Sequence, residues 1–282
     1  MFKKGLLLSG LALVLAGCGG EESGTEEAQE SGSDNSGEKT VIQVASHLPP
    51  MTDVVEIAGD VIEDPYEIEL VEVSDNIQYN EALLNEEVDA NFAQHEPFME
   101  IFNEERDGNL VALQPVYNAI VGFYSPVYDS IEELEDGAEV AIPSDATNEA
   151  RALMILDQQG IITLASDAEH NATVDDIEEN PKNLEFTHID LLNLTGAYED
   201  GVPLVFNYPT YISSIDLTPE DAVLLEEDED NTFAIQLVAR EDNQDSEEIQ
   251  AVEEAFTSQE VHDFLMELSE EGHLEPAFEA GE

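Results

Sequence analysis

Hydrophobic and polar positions follow two different rhythms along this chain. Residues 40–46 form a short apolar run that is rich in β-branched side chains, and residues 67–73 alternate between apolar and polar. Both patterns predict β-strands. Similar short apolar runs predict further strands at residues 89–92, 111–117, 138–142, 202–206 and 233–239.

Between these runs, apolar residues recur with the spacing of α-helices. The first helix ends near residue 62 and follows Thr52 and Asp53, either of which is a good cap for its first turn. Further helices are predicted at residues 80–85, 148–159 and 246–268. The regular alternation of strands and helices predicts an α/β protein with mainly parallel sheets.

The N-terminus has the pattern of an export signal. Lys3 and Lys4 precede an apolar stretch at residues 5–17, which ends in small residues just before Cys18. This order is typical of a secretion signal, so residues 1–17 are predicted to be a cleaved signal peptide. The alternative is an uncleaved anchor helix, but the stretch is shorter than the roughly 20 residues that span a bilayer.

Cys18 is the single cysteine of the chain, and it stands where bacterial lipoproteins carry the cysteine of their lipobox. That resemblance implies a lipid on Cys18. The stretch that follows it consists mainly of Gly, Ser, Glu and Asp, so residues 18–38 are expected to be a disordered acidic tether. We therefore expect a lipid-anchored protein on the extracytoplasmic face of the cell membrane, which is periplasmic if the cell has an outer membrane.

The charge of the chain is strongly one-sided. Its formal net charge is −60, from 67 acidic and 7 basic residues, yet charged residues make up an ordinary 26%. Nucleic acid is excluded as a partner, because a phosphate backbone requires a basic surface. We interpret the excess of acids as an adaptation to high salt, which screens their mutual repulsion. A calcium-binding polyanion is the alternative, but no calcium-binding loop motif is present.

Residues 138–153 combine a predicted strand, a polar turn and the start of a helix near Thr147. Ligands of open α/β sheets bind beyond the carboxyl ends of the strands. Arg151 would then lie in the first helical turn, where a cation opposes the helix dipole. Because few cations remain after Cys18, this placement indicates a function, and a bidentate clamp on a carboxylate fits it. A surface ion pair is the alternative.

Several motifs resemble those of one known family. Residues 89–97, Asp-Ala-Asn-Phe-Ala-Gln-His-Glu-Pro, are similar to the Asp-Ala-Asn-Phe-Phe-Gln-His-x-Pro signature of NlpA-type lipoproteins, the methionine-binding proteins of ABC importers. Residues 141–153 and 179–184 match the same family. Asp75 with Asn80 resembles its Asp-Tyr-x-x-Pro-Asn motif, and Asn207-Tyr208 resembles its Asn-Tyr-Ala. The motifs occur in the family's order and span the folded region.

The resemblance implies a type II periplasmic-binding-protein fold, in which two α/β lobes close over a ligand. Residues 39–122 plus 231–282 would form lobe 1, and residues 123–230 would form lobe 2. It also implies a monomer that binds an amino acid or a short peptide and delivers it to an ABC permease in the membrane. No cofactor, metal or catalytic residue is expected.

The resemblance also implies roles for individual residues. Arg151 matches the clamp for the ligand carboxylate, Asn207 and Asn148 match residues that hold the amino-acid backbone, and His95 matches a histidine of the side-chain pocket. Asn91 lies in the same strand end and would support that pocket. Without the resemblance, His95 also fits a hydrogen-bonded core histidine, and Asn91 and Asn148 fit caps of turns.

Two family aromatics that sandwich the methionine thioether are absent from this chain. Asn76 replaces the aromatic of Asp-Tyr-x-x-Pro-Asn, and Ala93 replaces the second Phe of the Phe-Phe-Gln-His motif. Sulfur gains from aromatic contact, so their loss predicts a more open and more polar pocket. Tyr79, at the family's proline position, would refill part of the space. A larger or more polar amino acid, or a short peptide containing methionine, is then a plausible ligand.

Two other functions compete with ligand binding. One is a hydrolase that uses His95 with Glu96, but neighbouring residues of a strand point to opposite faces and no nucleophile motif accompanies them. The other is a surface lipoprotein of the same fold that has lost its transport function.

Overall fold

The computed structural model describes residues 39–166, 168, 171–226, 231–270 and 272–280. The predicted signal peptide, Cys18 and the tether lie outside the described residues. These described residues form one compact unit. Within the described ranges, no helix is both long and apolar enough to cross a membrane.

The described residues contain strands and α-helices that alternate for most of the chain. The strands are β1 (Thr40–Ser46), β2 (Tyr66–Glu72), β3 (Ala90–His95), β4 (Leu110–Ala119), β5 (Gly122–Tyr124), β6 (Glu139–Pro143), β7 (Thr163–Leu164), β8 (Ile177–Glu179), β9 (Glu185–Ile189), β10 (Leu204–Asn207), β11 (Ala222–Leu225), β12 (Ile235–Arg240) and β13 (Leu274–Pro276). The helices are α1 (Met51–Val61), α2 (Gln78–Leu84), α3 (Glu96–Arg106), α4 (Ala146–Gln158), α5 (Leu194–Glu199), α6 (Pro209–Ile212), α7 (Glu247–Phe256) and α8 (Gln259–Glu270).

Two large sheets organise most of these elements, and β7 and β8 pair separately as a two-stranded antiparallel sheet. The first has the strand order β13-β4-β12-β3-β1-β2, and the second has the order β11-β5-β10-β6-β9. The chain therefore crosses between the sheets twice, once between β4 and β5 and once between β11 and β12. The lobe boundaries at residues 122/123 and 230/231 stay a prediction.

The prediction of mainly parallel sheets is wrong. β1 pairs in parallel with β2 and β3, and β6 pairs in parallel with β9 and β10. The other pairings within the two sheets are antiparallel. The reason is topological, because β12 returns from the second sheet and inserts between β3 and β4 against their direction. Alternating strands and helices do not reveal such a return.

The predicted start of the first helix is also wrong. α1 begins at Met51 after Pro50, which has no side-chain cap, so Thr52 and Asp53 lie inside the first turn. The single helix predicted at residues 246–268 is two helices. The first helix ends at Phe256 and the second begins at Gln259. Between them, the Ser258 hydroxyl accepts a hydrogen bond from the backbone N–H of Val261 at 3.3 Å. Such local bonding to a serine favours a new helix start over a continuous helix.

Helix α4 begins two residues before the predicted start. Asp145 is its N-cap and accepts the backbone N–H of Asn148 at 3.0 Å. Arg151 therefore lies in the second turn. Because the effect of the helix dipole fades beyond the first turn, the argument that this cation is unfavourably placed is wrong.

Candidate functional site

A cavity lies where the carboxyl ends of strands from both sheets meet. His47 follows β1, His95 ends β3, Asn148 lies in the helix after β6, and Tyr208 follows β10, and all four line the cavity. This is the edge at which open α/β sheets bind ligands. The cavity is small, with a volume of about 50 Å³.

The cavity brings together five residues that the family resemblance singled out, and it adds others. The predicted members are Asn76, Tyr79, Ala93, His95 and Asn148. The other lining residues are His47, Met51, Gln94, Phe98, Tyr117, Ala119, Leu191, Tyr208, Thr210, Tyr211 and Ile235. No aspartate, glutamate, lysine or arginine is among these lining residues.

His95 is both a helix cap and a wall of the cavity. Its Nδ1 accepts the backbone N–H of Phe98 at 3.2 Å, so the neutral ring carries its proton on Nε2. Nε2 lies 3.5 Å from the side-chain oxygen of Asn148, across the cleft. Burial, with a contribution from the charge of Arg151, lowers the pKa of His95 to about 3. The ring is therefore neutral at physiological pH.

The hydrolase alternative finds no support in this arrangement. Both ring nitrogens of His95 face partners other than Glu96, which is the exposed first residue of α3. A general base works best with a pKa near the operating pH, and the pKa of His95 lies far below it.

His47 was not predicted as a site residue, although its position directly after a buried strand is a signal for one. Its ring stacks on Tyr79 with centroids 5.8 Å apart. Its Nε2 lies 3.4 Å from the hydroxyl of Tyr211, and its buried Nδ1 has no hydrogen-bond partner. Burial lowers the pKa of His47 to about 4. The neutral ring thus keeps one buried nitrogen whose hydrogen bonding is unsatisfied within the described residues.

The aromatic character of the pocket survives the loss of the two family aromatics. Asn76 and Ala93 line the cavity as expected, but so do four tyrosines and Phe98. The stack of His47 on Tyr79 supplies a flat aromatic wall on the same side as Ala93 in the first sheet. Tyr79 is buried and lines the cavity, and its role as a replacement for the missing aromatics stays a prediction.

Tyr208 and Asn148 form a polar centre in the wall of the cavity. The Tyr208 hydroxyl donates to the side-chain oxygen of Asn148 at 2.6 Å and accepts from Nη1 of Arg151 at 2.9 Å. The amide nitrogen of Asn148 donates to Asp145 at 2.9 Å. Burial raises the pKa of Tyr208 to about 12, although Arg151 opposes the shift. Tyr208 therefore keeps its proton and can donate it in a hydrogen bond.

Arg151 lies behind this centre and does not line the cavity. Only 1% of its surface is exposed, and its guanidinium makes a bidentate pair with the carboxylate of Glu226. It also donates to the backbone carbonyl of Ala119 at 3.0 Å and lies 4.6 Å from the ring centroid of Phe233. Burial alone would lower the pKa of Arg151, but the negative charge of the Glu226 carboxylate outweighs burial and raises that pKa. Glu226 was missed as a site residue because its partner is distant in the sequence.

Two further predicted residues support the site from outside the cavity. Asn207 donates from its side chain to the hydroxyl of Thr195 at 3.1 Å and accepts the backbone N–H of Tyr208 at 2.9 Å. Asn91 belongs to a buried amide cluster with Asn80 and Gln94 that also reaches the carbonyl of Tyr79. Within the described ranges, no group of three or more His, Cys, Asp or Glu side chains is placed to hold a metal ion.

Comparison with known proteins places this architecture in one family. The model of the NlpA lipoprotein family matches residues 42–278. The D-methionine-binding lipoprotein MetQ of Escherichia coli O157:H7 is 34% identical over 262 residues, which cover 92% of this chain and 91% of its relative.

Solved structures give the same result. A lipoprotein of the YaeC family from Enterococcus faecalis is 46% identical, with a TM-score of 0.76 and coverage of 84% of this chain and 99% of the other. A nutrient-binding protein from Burkholderia cenocepacia, bound to methionine, is 30% identical, with a TM-score of 0.78 and coverage of 84% and 100%. The predicted two-lobed type II periplasmic-binding-protein fold is confirmed, and the chain belongs to the NlpA lipoprotein family.

Proposed function

We propose that this protein is the substrate-binding lipoprotein of an ABC importer and that it binds an amino acid, or a short peptide, in the cavity between its lobes. The supporting observation is the cavity itself, which side chains from both sheets line at the carboxyl ends of their strands. Membership of the NlpA family supports a binding role, since its relatives include methionine-binding lipoproteins.

The remaining parts of the proposal concern location and delivery. A lipid on Cys18 would hold the protein on the extracytoplasmic face of the membrane, beside the permease that receives the ligand. A tether at residues 18–38 would let the folded region reach the permease. Loss of the lipid should release the protein from membranes, so a Cys18→Ser variant expressed in cells should appear in the soluble fraction.

Contacts across the cleft give the proposal a physical basis. His95 meets Asn148 at 3.5 Å and His47 meets Tyr211 at 3.4 Å, and each pair joins the first sheet's half of the chain to the second's. Closing the lobes therefore brings polar groups from both sides around one small volume. A ligand in that volume contacts both lobes at once, which is how binding is coupled to closure.

The ligand is expected to be a methionine-like or related amino acid. Tyr79, Tyr117, Tyr208, Tyr211 and Phe98 provide aromatic contact for an apolar or sulfur-containing side chain. Asn76 and His47 add hydrogen-bonding capacity that favours a polar atom at the end of that side chain.

Isothermal titration in molar NaCl tests the proposal. The full panel of amino acids, both enantiomers of methionine and methionine-containing dipeptides should include at least one compound that binds one to one. An Ala93→Leu variant, which fills the cavity, should weaken that binding by about ten-fold or more. An Ala251→Leu variant on α7 serves as the matched control and should bind like the wild type. If the wild type binds none of these compounds, the proposal is overturned, and a lipoprotein that has lost ligand binding is favoured.

A further inference from the structure

The cation that family resemblance assigns to the ligand carboxylate already holds a carboxylate of this protein. Arg151 donates from Nε to Oε1 of Glu226 at 2.6 Å and from Nη2 to Oε2. Its remaining hydrogen bonds go to Tyr208 and to the carbonyl of Ala119. Both partners of the ion pair are buried, with 1% of the Arg151 side chain and 7% of the Glu226 side chain exposed.

This pair has the geometry of ligand recognition. A guanidinium binds a carboxylate through two parallel hydrogen bonds, and the α-carboxylate of an amino acid has the same planar pair of oxygens as Glu226. One guanidinium edge accommodates one such carboxylate at a time. Glu226 and a ligand carboxylate would therefore compete for Arg151.

The surroundings give a ligand carboxylate no other cation. The residues that line the cavity include no lysine or arginine, and burial keeps His47 and His95 neutral. A buried carboxylate without a charged partner is strongly unfavourable. A ligand that carries a carboxylate into this cavity would thus need Arg151, whose Nε–Nη2 edge Glu226 occupies.

The position of Glu226 allows such an exchange. It follows the last residue of β11, where the chain leaves the second sheet, and its backbone N–H donates to the carbonyl of Val121 at 2.9 Å in the other crossing segment. Arg151 also contacts both segments that connect the two sheets. It reaches Ala119 at the end of β4 and Phe233 just before β12. The ion pair therefore lies where the chain passes between the sheets, and a change in lobe arrangement would act on it directly.

We propose that Glu226 is an internal stand-in for the ligand carboxylate. It holds Arg151 in this structure and gives it up when a carboxylate ligand binds. This inference rests on the proposed function. Glu226 would then determine specificity. A ligand must contribute enough binding free energy to offset the loss of the Arg151–Glu226 ion pair, and only a well-matched carboxylate ligand does so.

A Glu226→Gln variant tests the exchange. Isothermal titration in molar NaCl would compare L- and D-methionine with the corresponding methioninamides, which lack the carboxylate. The variant should bind methionine about ten-fold or more tightly than the wild type, because the competing charge is gone. Its affinity for methioninamide should change by no more than about two-fold. Unchanged or weaker binding of methionine by the variant would show that Glu226 does not compete.

A second measurement does not depend on methionine as the ligand. Glu226→Ala removes the internal carboxylate, so acetate or formate should occupy Arg151 and raise the melting temperature by roughly 2–4 °C above that in chloride at equal ionic strength. Wild type and Glu149→Ala, which removes a buried carboxylate that does not pair with Arg151, are the controls. Equal responses of all three proteins to acetate would overturn the inference. If no methionine compound binds either protein, methionine is not the ligand, and the acetate response alone decides the role of Glu226.

Discussion

Two buried histidines connect the lobes at the scale of single residues. His47 and His95 each direct Nε2 toward a side chain of the opposite half of the chain, and burial lowers the pKa of both. A histidine that is buried as a neutral ring favours the folded state only while it stays neutral. Its contribution is therefore complete above the ordinary histidine pKa and is lost as the pH falls toward the lowered value.

Replacing His47 by Phe is expected to change how stability depends on pH. With a pKa of about 4 in the folded protein and about 6.5 in the unfolded chain, His47 destabilises the wild type by roughly 2 kcal/mol at pH 5 relative to pH 7.5. The His47→Phe variant lacks this loss. Urea unfolding of both proteins at several pH values in constant molar NaCl measures the difference, and the carboxylates that both proteins share cancel.

A Tyr211→Phe variant is the control for this measurement. It removes the hydroxyl that faces His47 and keeps the titrating ring, so its pH dependence should stay close to that of the wild type. Parallel pH profiles for wild type and His47→Phe would contradict the burial of a neutral His47.

At the scale of elements, two helix starts shape the pocket. The His95 ring caps α3, and the Asp145 side chain caps α4. Asp145 accepts both the backbone N–H and the side-chain amide of Asn148, at 3.0 and 2.9 Å, so the cap also orients a residue that lines the cavity. Burial raises the pKa of Asp145, although the hydrogen bonds from Asn148 oppose the shift.

Loss of the α4 cap should destabilise the fold and loosen the pocket together. Asp145→Ala removes the acceptor for the first turn, at an expected cost of about 1–2 kcal/mol in the free energy of unfolding. Asp145→Asn keeps an acceptor oxygen and should cost less than half as much. Urea unfolding in molar NaCl compares the two variants. Equal losses in both would mean that the negative charge of Asp145, and not its hydrogen bonds, supports this helix.

At the scale of the whole molecule, acidic charge greatly exceeds the available basic charge. The cations that follow Cys18 all have partners within the described residues, and they are Lys39, Arg106, Arg151, Lys182 and Arg240. With 67 acidic residues in the chain, most carboxylates have no basic partner. Solvent cations must therefore screen them.

We expect the melting temperature to rise steadily from low to molar NaCl. At molar salt the Debye length falls to about 3 Å, so repulsion between neighbouring surface carboxylates is largely screened. A non-ionic stabiliser such as sucrose at equal osmolarity, added at low salt, should restore less of the stability. A melting temperature that does not change with salt would argue against adaptation to brine.

The sequence identified some residues of the site and not their neighbours. His95 and Asn148 were predicted because they match motifs of the NlpA family, and without that resemblance they fit a core histidine and a turn cap equally well. His47 and Glu226 were missed. The position of His47 directly after a buried strand was the one available signal, and Glu226 is one acid among many with no distinctive local pattern. The helix-dipole argument for Arg151 was wrong for a different reason. Helix α4 begins two residues earlier than predicted, so Arg151 does not lie in its first turn.

The sequence by itself determined the α/β class, the excess of acidic charge and the ordered motifs of the family, whereas the export signal stays a prediction. These properties depend on residue type and on spacing along a few turns or strands. Only the tertiary structure decided the antiparallel insertion of β12, the contact between His47 and Tyr211, and the pairing of Arg151 with Glu226. The partners in these two contacts lie 164 and 75 residues apart, and no local pattern encodes which distant segments pack together.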